Sequence, residues 1–107
     1  MKVKMYEKDI QRQILEFLRI IGAVAGKTKT TGTFDPKRQC FRKDPYIFSG
    51  FPDLAFFYKN VFGFIEVKSE KGKQSDEQKR FEQLCKDSGI IYILARSVED
   101  VKRAFNL

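Results

Sequence analysis

The chain has 107 residues, 42% of them hydrophobic and 14% aromatic, enough for a single core but not for two, so we expect one domain over residues 1–107. A formal net charge of +7 favours a polyanionic partner, either nucleic acid or an anionic surface. Zero histidines exclude a His-dependent nuclease, a Ser-His triad and a Cys/His zinc finger, and no apolar run approaches the roughly 18 residues of a membrane span.

The start, Met1-Lys2-Val3-Lys4, is basic but leads into no apolar stretch of signal-peptide type, so a cytoplasmic protein is expected. Residues 6–21 place Ile10, Ile14, Phe17 and Ile21 at helical spacing, with Leu18 beside them and Gly22 as a stop. Ala23-Val24-Ala25 reads as a first strand. Residues 26–50 are polar, rich in Gly, Thr and Lys and broken by Pro36 and Pro45, which predicts a long irregular loop or ragged hairpin of the kind kept for function.

Two runs of β-branched and aromatic residues in 51–68 flank Lys59-Asn60 and predict a hairpin. A second helix is expected over 76–88, with Phe81, Leu84 and Cys85 on one face and Gly89 as its stop. Ile90–Leu94 is continuously apolar, which predicts a strand buried on both faces. Ser97 then caps a last helix carrying Val98, Val101, Ala104 and Phe105. The order helix, strands, helix, strand, helix gives an α/β fold with helices around a mixed sheet. Cys40 and Cys85 are far apart, match no metal spacing and read as plain thiols.

The chemistry concentrates in the 51–68 hairpin, where Asp53 precedes Glu66 by 13 residues. Alternation along a strand puts Glu66 and Lys68 on one face and Ile65 and Val67 on the other. Charges on an otherwise apolar strand cost several kcal/mol to bury unless they are paired or hold a metal. Asp53 and Glu66, with the Val67 carbonyl, offer the oxygens that Mg²⁺ or Mn²⁺ prefers, and such an ion can activate water and stabilise a leaving oxygen in phosphodiester hydrolysis. Lys68 would orient the water or offset charge on the phosphate. The plain alternative is a turn Asp and an exposed Glu/Lys pair on an amphipathic edge strand.

Two further residues are ambiguous on sequence grounds. Glu7 falls on the helix face expected to pack on the sheet, as a metal ligand would, yet a first-turn Glu is equally explained by the helix dipole. Gln78 is on the inward face of the second helix, where its amide would reach a metal-bound water or a phosphate oxygen. It also completes a capping box with Ser75, and one side chain is expected to serve only one of these roles at a time.

The strings GFPDLAFF, IEVKSEKGKQSDEQKRF and SGIIYILARSVEDV, with YEKDIQRQILEFLRIIGA at the start, resemble the VRR-NUC family (virus-type replication-repair nucleases) of the PD-(D/E)xK superfamily. The resemblance covers most of the chain and is loose over about 27–49. It implies a restriction-endonuclease-like fold and a Mg²⁺- or Mn²⁺-dependent nuclease. Asp53, Glu66 and Lys68 fill the core motif, Glu7 stands as the first-helix acid and Gln78 as the trailing glutamine.

Small members of this family resemble phage or bacterial Holliday-junction resolvases that act as homodimers on branched DNA. A two-fold junction cut by symmetric nicks suits two sites about a two-fold axis. The first helix, or Phe34, Phe41, Tyr46 and Phe48, would form the dimer interface.

DNA contact is expected from Lys27, Lys29, Lys37, Arg38, Arg42 and Lys43, with Thr28, Thr30, Thr31 and Thr33 as extra donors to phosphate, and from Lys71 and Lys73, with Lys79 and Arg80 nearby. No base-reading motif is present, so recognition of shape and backbone is predicted. A flap or single-strand nuclease, and a non-catalytic nucleic-acid-binding module on the same scaffold, remain the alternatives.

Overall fold

A computed structural model describes residues 5–28 and 49–107 in full, and 33–35 and 40–42 as backbone. Helix α1 spans Glu7–Ile20 and buries Ile10, Ile14 and Leu18, a stripe at i, i+4 and i+8. It ends at Gly22, whose φ of +88° lets the Gly22 amide return to Arg19 O at 3.1 Å and the Ala23 amide to Leu18 O at 2.9 Å. Strand β1 (Val24–Lys27) runs two residues further than expected. The hairpin alternative for 26–50 describes the next part well: β2 (Thr33–Asp35) pairs antiparallel with β3 (Cys40–Arg42).

Strands β4 (Leu54–Tyr58) and β5 (Val61–Val67) form the predicted hairpin. Its two-residue turn has φ of 47° at Lys59 and 66° at Asn60, the positive pair that a type I′ turn needs to match strand twist. Helix α2 (Asp76–Asp87) crosses over to β6 (Ile91–Ala95), which lies parallel to β5, and α3 (Val98–Ala104) follows. The main sheet has the order β1-β4-β5-β6, with the first two pairings antiparallel.

Alternation along the strands divides the sheet into two faces. Leu54, Phe56, Ile65, Val67, Ile93 and Ala95 pack with α1 and with Val101 of α3. Phe64 packs on the opposite face against Phe81 and Cys85 of α2, with Phe51, Phe62 and Tyr92 around them. The aromatic rings there meet edge to face, at centroid distances of 5.2 Å for Phe51–Phe64 and 5.6 Å for Phe64–Phe81. Cys85 is a buried free thiol whose pKa is raised by burial.

Three core expectations need correction. β6 closes an edge of the sheet, so only Ile93 and Ala95 are buried on it and Ile91 is 42% exposed; an all-apolar run does not by itself distinguish an edge strand from a central one. Leu84 is exposed because α2 packs through the narrower stripe Gln78–Phe81–Cys85, at i, i+3 and i+7. Ala104, at the end of a seven-residue helix, is exposed as well.

Candidate active site

Leu54 pairs with Ile65 across the β4–β5 hairpin. One further step of that register sets Asp53 opposite Glu66 on the α2 face. Both carboxylates therefore emerge at the carboxyl end of β5. Glu66 is 1% exposed, and it is the buried charged residue among the described ones. Its Oε1 accepts from Gln78 Nε2 at 3.1 Å and lies 3.6 Å from Lys68 Nζ. Its Oε2 is buried without a hydrogen-bond partner among the described residues. Asp53 is tied to the same strand, since its Oδ2 accepts from the Val67 amide at 2.9 Å.

Burial, then the adjoining Asp53 carboxyl, pushes the Glu66 pKa from 4.5 up to about 8, against the opposing pull of Lys68. At neutral pH in the metal-free protein the Glu66 carboxyl is therefore held mostly in its protonated form. An orphaned buried carboxylate oxygen beside a second carboxylate suits a hard divalent cation, whose charge removes the penalty of ionising both.

The backbone around the pair is fixed by residues that carry no charge. Gly50 has φ of +76°, and a Cβ there would come within 2.4 Å of the Glu77 carbonyl carbon and 2.6 Å of the Gln78 amide nitrogen. Only glycine lets the segment before Pro52-Asp53 approach the first turn of α2 so closely. On the other side the Thr28 amide donates to Asp53 O at 2.9 Å and the Thr28 hydroxyl donates to Pro52 O. Thr28 is thus engaged within the protein, and not held ready for phosphate as its sequence context implied.

Gln78 holds both of its roles at once, which corrects the expectation that they compete. Its Oε1 accepts from the Ser75 amide at 2.8 Å, its own amide donates to Ser75 Oγ at 3.1 Å, and its Nε2 remains free to donate to Glu66. A carboxamide carries an acceptor and a donor on opposite arms, and the capping box uses only the acceptor. The cap therefore dictates that Gln78 presents N–H, not oxygen, to the carboxylates.

Glu7 is exposed, and among the described residues no group of three or more Asp, Glu, Cys or His side chains is placed to hold a metal. The Glu7 Oε1 faces the turn after β5, 3.4 Å from where a Cβ at Gly72 would be. Lys27, Lys71, Lys73, Lys79 and Arg80 are exposed. Lys29, Lys37, Arg38 and Lys43, Thr30 and Thr31, and the side chains of Arg42, Thr33, Phe34, Phe41, Tyr46 and Phe48, lie outside the described residues.

Sequence reasoning passed over two networks. Arg96 donates into the turn after β5, and Gln74 Nε2 donates to Tyr92 Oη at 3.2 Å and to Glu82 Oε1 at 3.3 Å. Burial raises the Tyr92 phenol above its ordinary value, so it stays protonated at neutral pH. Neither network has a short motif; both join residues more than seven positions apart in the chain.

A mixed sheet that delivers Asp, Glu and Lys to one end, beneath a helix supplying Gln, is the architecture of PD-(D/E)xK nucleases. The VRR-NUC domain profile matches residues 35–99, more than half of the chain. The chain belongs to the VRR-NUC family, whose nucleases generally use divalent metals. A solved structure described as a VRR_NUC domain superposes with a TM-score of 0.68 at 20% identity, covering 94% of each chain, and so shares the restriction-endonuclease-like fold. No curated protein matched the chain. No helix among the described residues is long and apolar enough to cross a membrane.

Proposed function

We propose that the chain is a divalent-metal-dependent endodeoxyribonuclease that resolves four-way DNA junctions by paired nicks as a homodimer. The observation that carries the catalytic part is Glu66: a buried carboxylate with one oxygen unsatisfied, facing Asp53 and Lys68 at the end of the sheet. A buried charge without a metal would be costly, and a module that only binds DNA has no use for it. Asp53, Glu66 and the Val67 carbonyl would hold Mg²⁺ or Mn²⁺, which when bound supplies Lewis acidity and a more acidic water.

Within the protein, Lys68 keeps an ammonium beside Glu66, where it directs the attacking water and offsets charge on the phosphate. Gln78 holds Glu66 Oε1 by its N–H and so leaves the other oxygen free to serve the site. In the reaction the water oxygen bonds to phosphorus as the P–O bond to one sugar breaks, and the leaving oxygen ends as a hydroxyl. Lys27, Lys71 and Lys73, with the basic residues of 29–43, are assigned to the phosphate backbone; an acidic centre needs such a rim to accept a polyanion. The four-way junction and the homodimer rest on the family resemblance and on the two-fold symmetry of paired nicks.

The test is a denaturing-gel assay offering labelled four-way junction, flap, duplex and single strand with Mg²⁺, Mn²⁺ or EDTA, run beside Glu66→Ala. Symmetric nicks in the junction, lost with EDTA and with the variant, are expected. Cuts mainly at flaps or single strands keep the nuclease and remove the resolvase. Tight, metal-dependent binding without cleavage of any substrate replaces the enzyme by a binding module.

A further inference from the structure

The residue after Lys68 begins a tight turn, closed by the Gly72 amide on Ser69 O at 3.1 Å. The carbonyls of this turn converge on one guanidinium nitrogen: Arg96 Nη1 lies 2.6 Å from Ser69 O, 2.6 Å from Gly72 O and 3.2 Å from Glu70 O. Three carbonyl dipoles aimed at one point repel one another unless a cation sits there, so the turn in this shape depends on that charge.

Arg96 is itself held firmly. Its amide donates to Asp100 Oδ2 at 2.8 Å, and the adjacent Ser97 caps α3. Its other neighbour, Ala95, accepts the Lys68 amide at 3.0 Å. The chain leaving β5 is therefore gripped at consecutive points, Lys68 by the end of β6 and Ser69 onward by the Arg96 side chain.

Lys68, two residues beyond Glu66 on the same face, brings Nζ to 3.6 Å from Glu66 Oε1, and its side chain is only 13% exposed. The course of the backbone just after Lys68 bounds the space that its four-carbon stem occupies on the way to Glu66. We propose that Arg96 is a positioning residue for the Glu66–Lys68 site, fixing the Ser69–Gly72 turn so that the Lys68 ammonium is held against Glu66. The proposal rests on the nuclease reading above, in which Lys68 acts during turnover.

The experiment is a double-mutant cycle on junction cleavage at saturating DNA in Mg²⁺, with wild type, Arg96→Ala, Lys68→Ala and the double variant, each checked for folding by its Tm. A displacement of about 1 Å at a reacting group costs on the order of 10²-fold, and Arg96→Ala is expected to lose about that much turnover. In the Lys68→Ala background the same change is expected to add nothing, because the residue it positions is gone. Amide exchange should show lost protection at Gly72, and millimolar guanidinium should restore part of the turnover of Arg96→Ala.

Undiminished turnover in Arg96→Ala, or losses that simply multiply in the double variant, would overturn the proposal while leaving the nuclease intact. If Arg96→Ala does not fold, Arg96→Gln decides: it keeps an N–H donor but removes the cation on which the three carbonyls converge, so turnover below wild type is expected and wild-type turnover overturns the proposal. A wild-type protein that cleaves nothing removes the nuclease reading, and this proposal with it.

Discussion

On the side of the sheet covered by α1 and α3, Leu54, Phe56, Ile65, Val67, Ile93 and Ala95 form a continuous apolar layer. On the side covered by α2, the same strands present Phe64 and Tyr92 but also Asp53 and Glu66, and the helix answers with Gln78. β5 serves both faces in alternation, with Ile65 and Val67 on one and Phe64 and Glu66 on the other. The first face is where burial is favourable throughout. The second contains a carboxylate that is unfavourable in the metal-free fold, and it is tolerated because the apolar face holds the strand in place. The difference separates residues that make the protein stable from those that make it useful.

The largest expected effect comes from neutralising the unfavourable group. Glu66→Gln should lower cleavage by about 10³-fold, the equivalent of several kcal/mol of Lewis-acid stabilisation. The same change should raise the Tm of metal-free protein at pH 8 and leave it nearly unchanged at pH 5. The sign follows from the shift: between 4.5 and about 8 the folded protein holds a proton that the unfolded chain has released. Wild-type stability therefore falls as pH rises through that window and levels off above it, whereas Glu66→Gln has no such slope. Tm measured from pH 5 to 9 in EDTA checks this, and parallel slopes for the two proteins would contradict it.

Phe56→Ala breaks the comparison from the other side. Phe56 is fully buried, packed on Phe105 at a centroid distance of 5.2 Å, and its loss should cost about 3–5 kcal/mol by denaturant unfolding. Turnover well below the lowered Tm should stay at the wild-type level, and a selective loss of turnover would show that the two faces are not separable.

Gly50→Ala tests the seam where α2 meets the motif before Asp53. The new Cβ has to displace helix backbone, which should cost about 1–3 kcal/mol and move Gln78 away from Glu66. Cleavage should fall more than the fraction unfolded accounts for, as read by comparing activity with circular dichroism at one temperature.

Sequence alone determined what depends on periodicity and on local chemistry. The β4–β5 hairpin, the α1 stripe and the N-cap residues Ser75 and Ser97 were legible because each is set by neighbours a few positions away. The pairing of Asp53 with Glu66 was legible for the same reason, since a two-residue turn fixes the register. The sequence did not show that β6 is an edge strand or that Leu84 faces solvent, because each depends on which element lies opposite. Nor did it show that Gln78 satisfies its cap and its carboxylate together, that Thr28 braces Asp53, or that Arg96 grips the turn after Lys68. Those contacts join segments far apart in the chain, and only the folded packing, which decides where a donor finds its acceptor, brings them within reach.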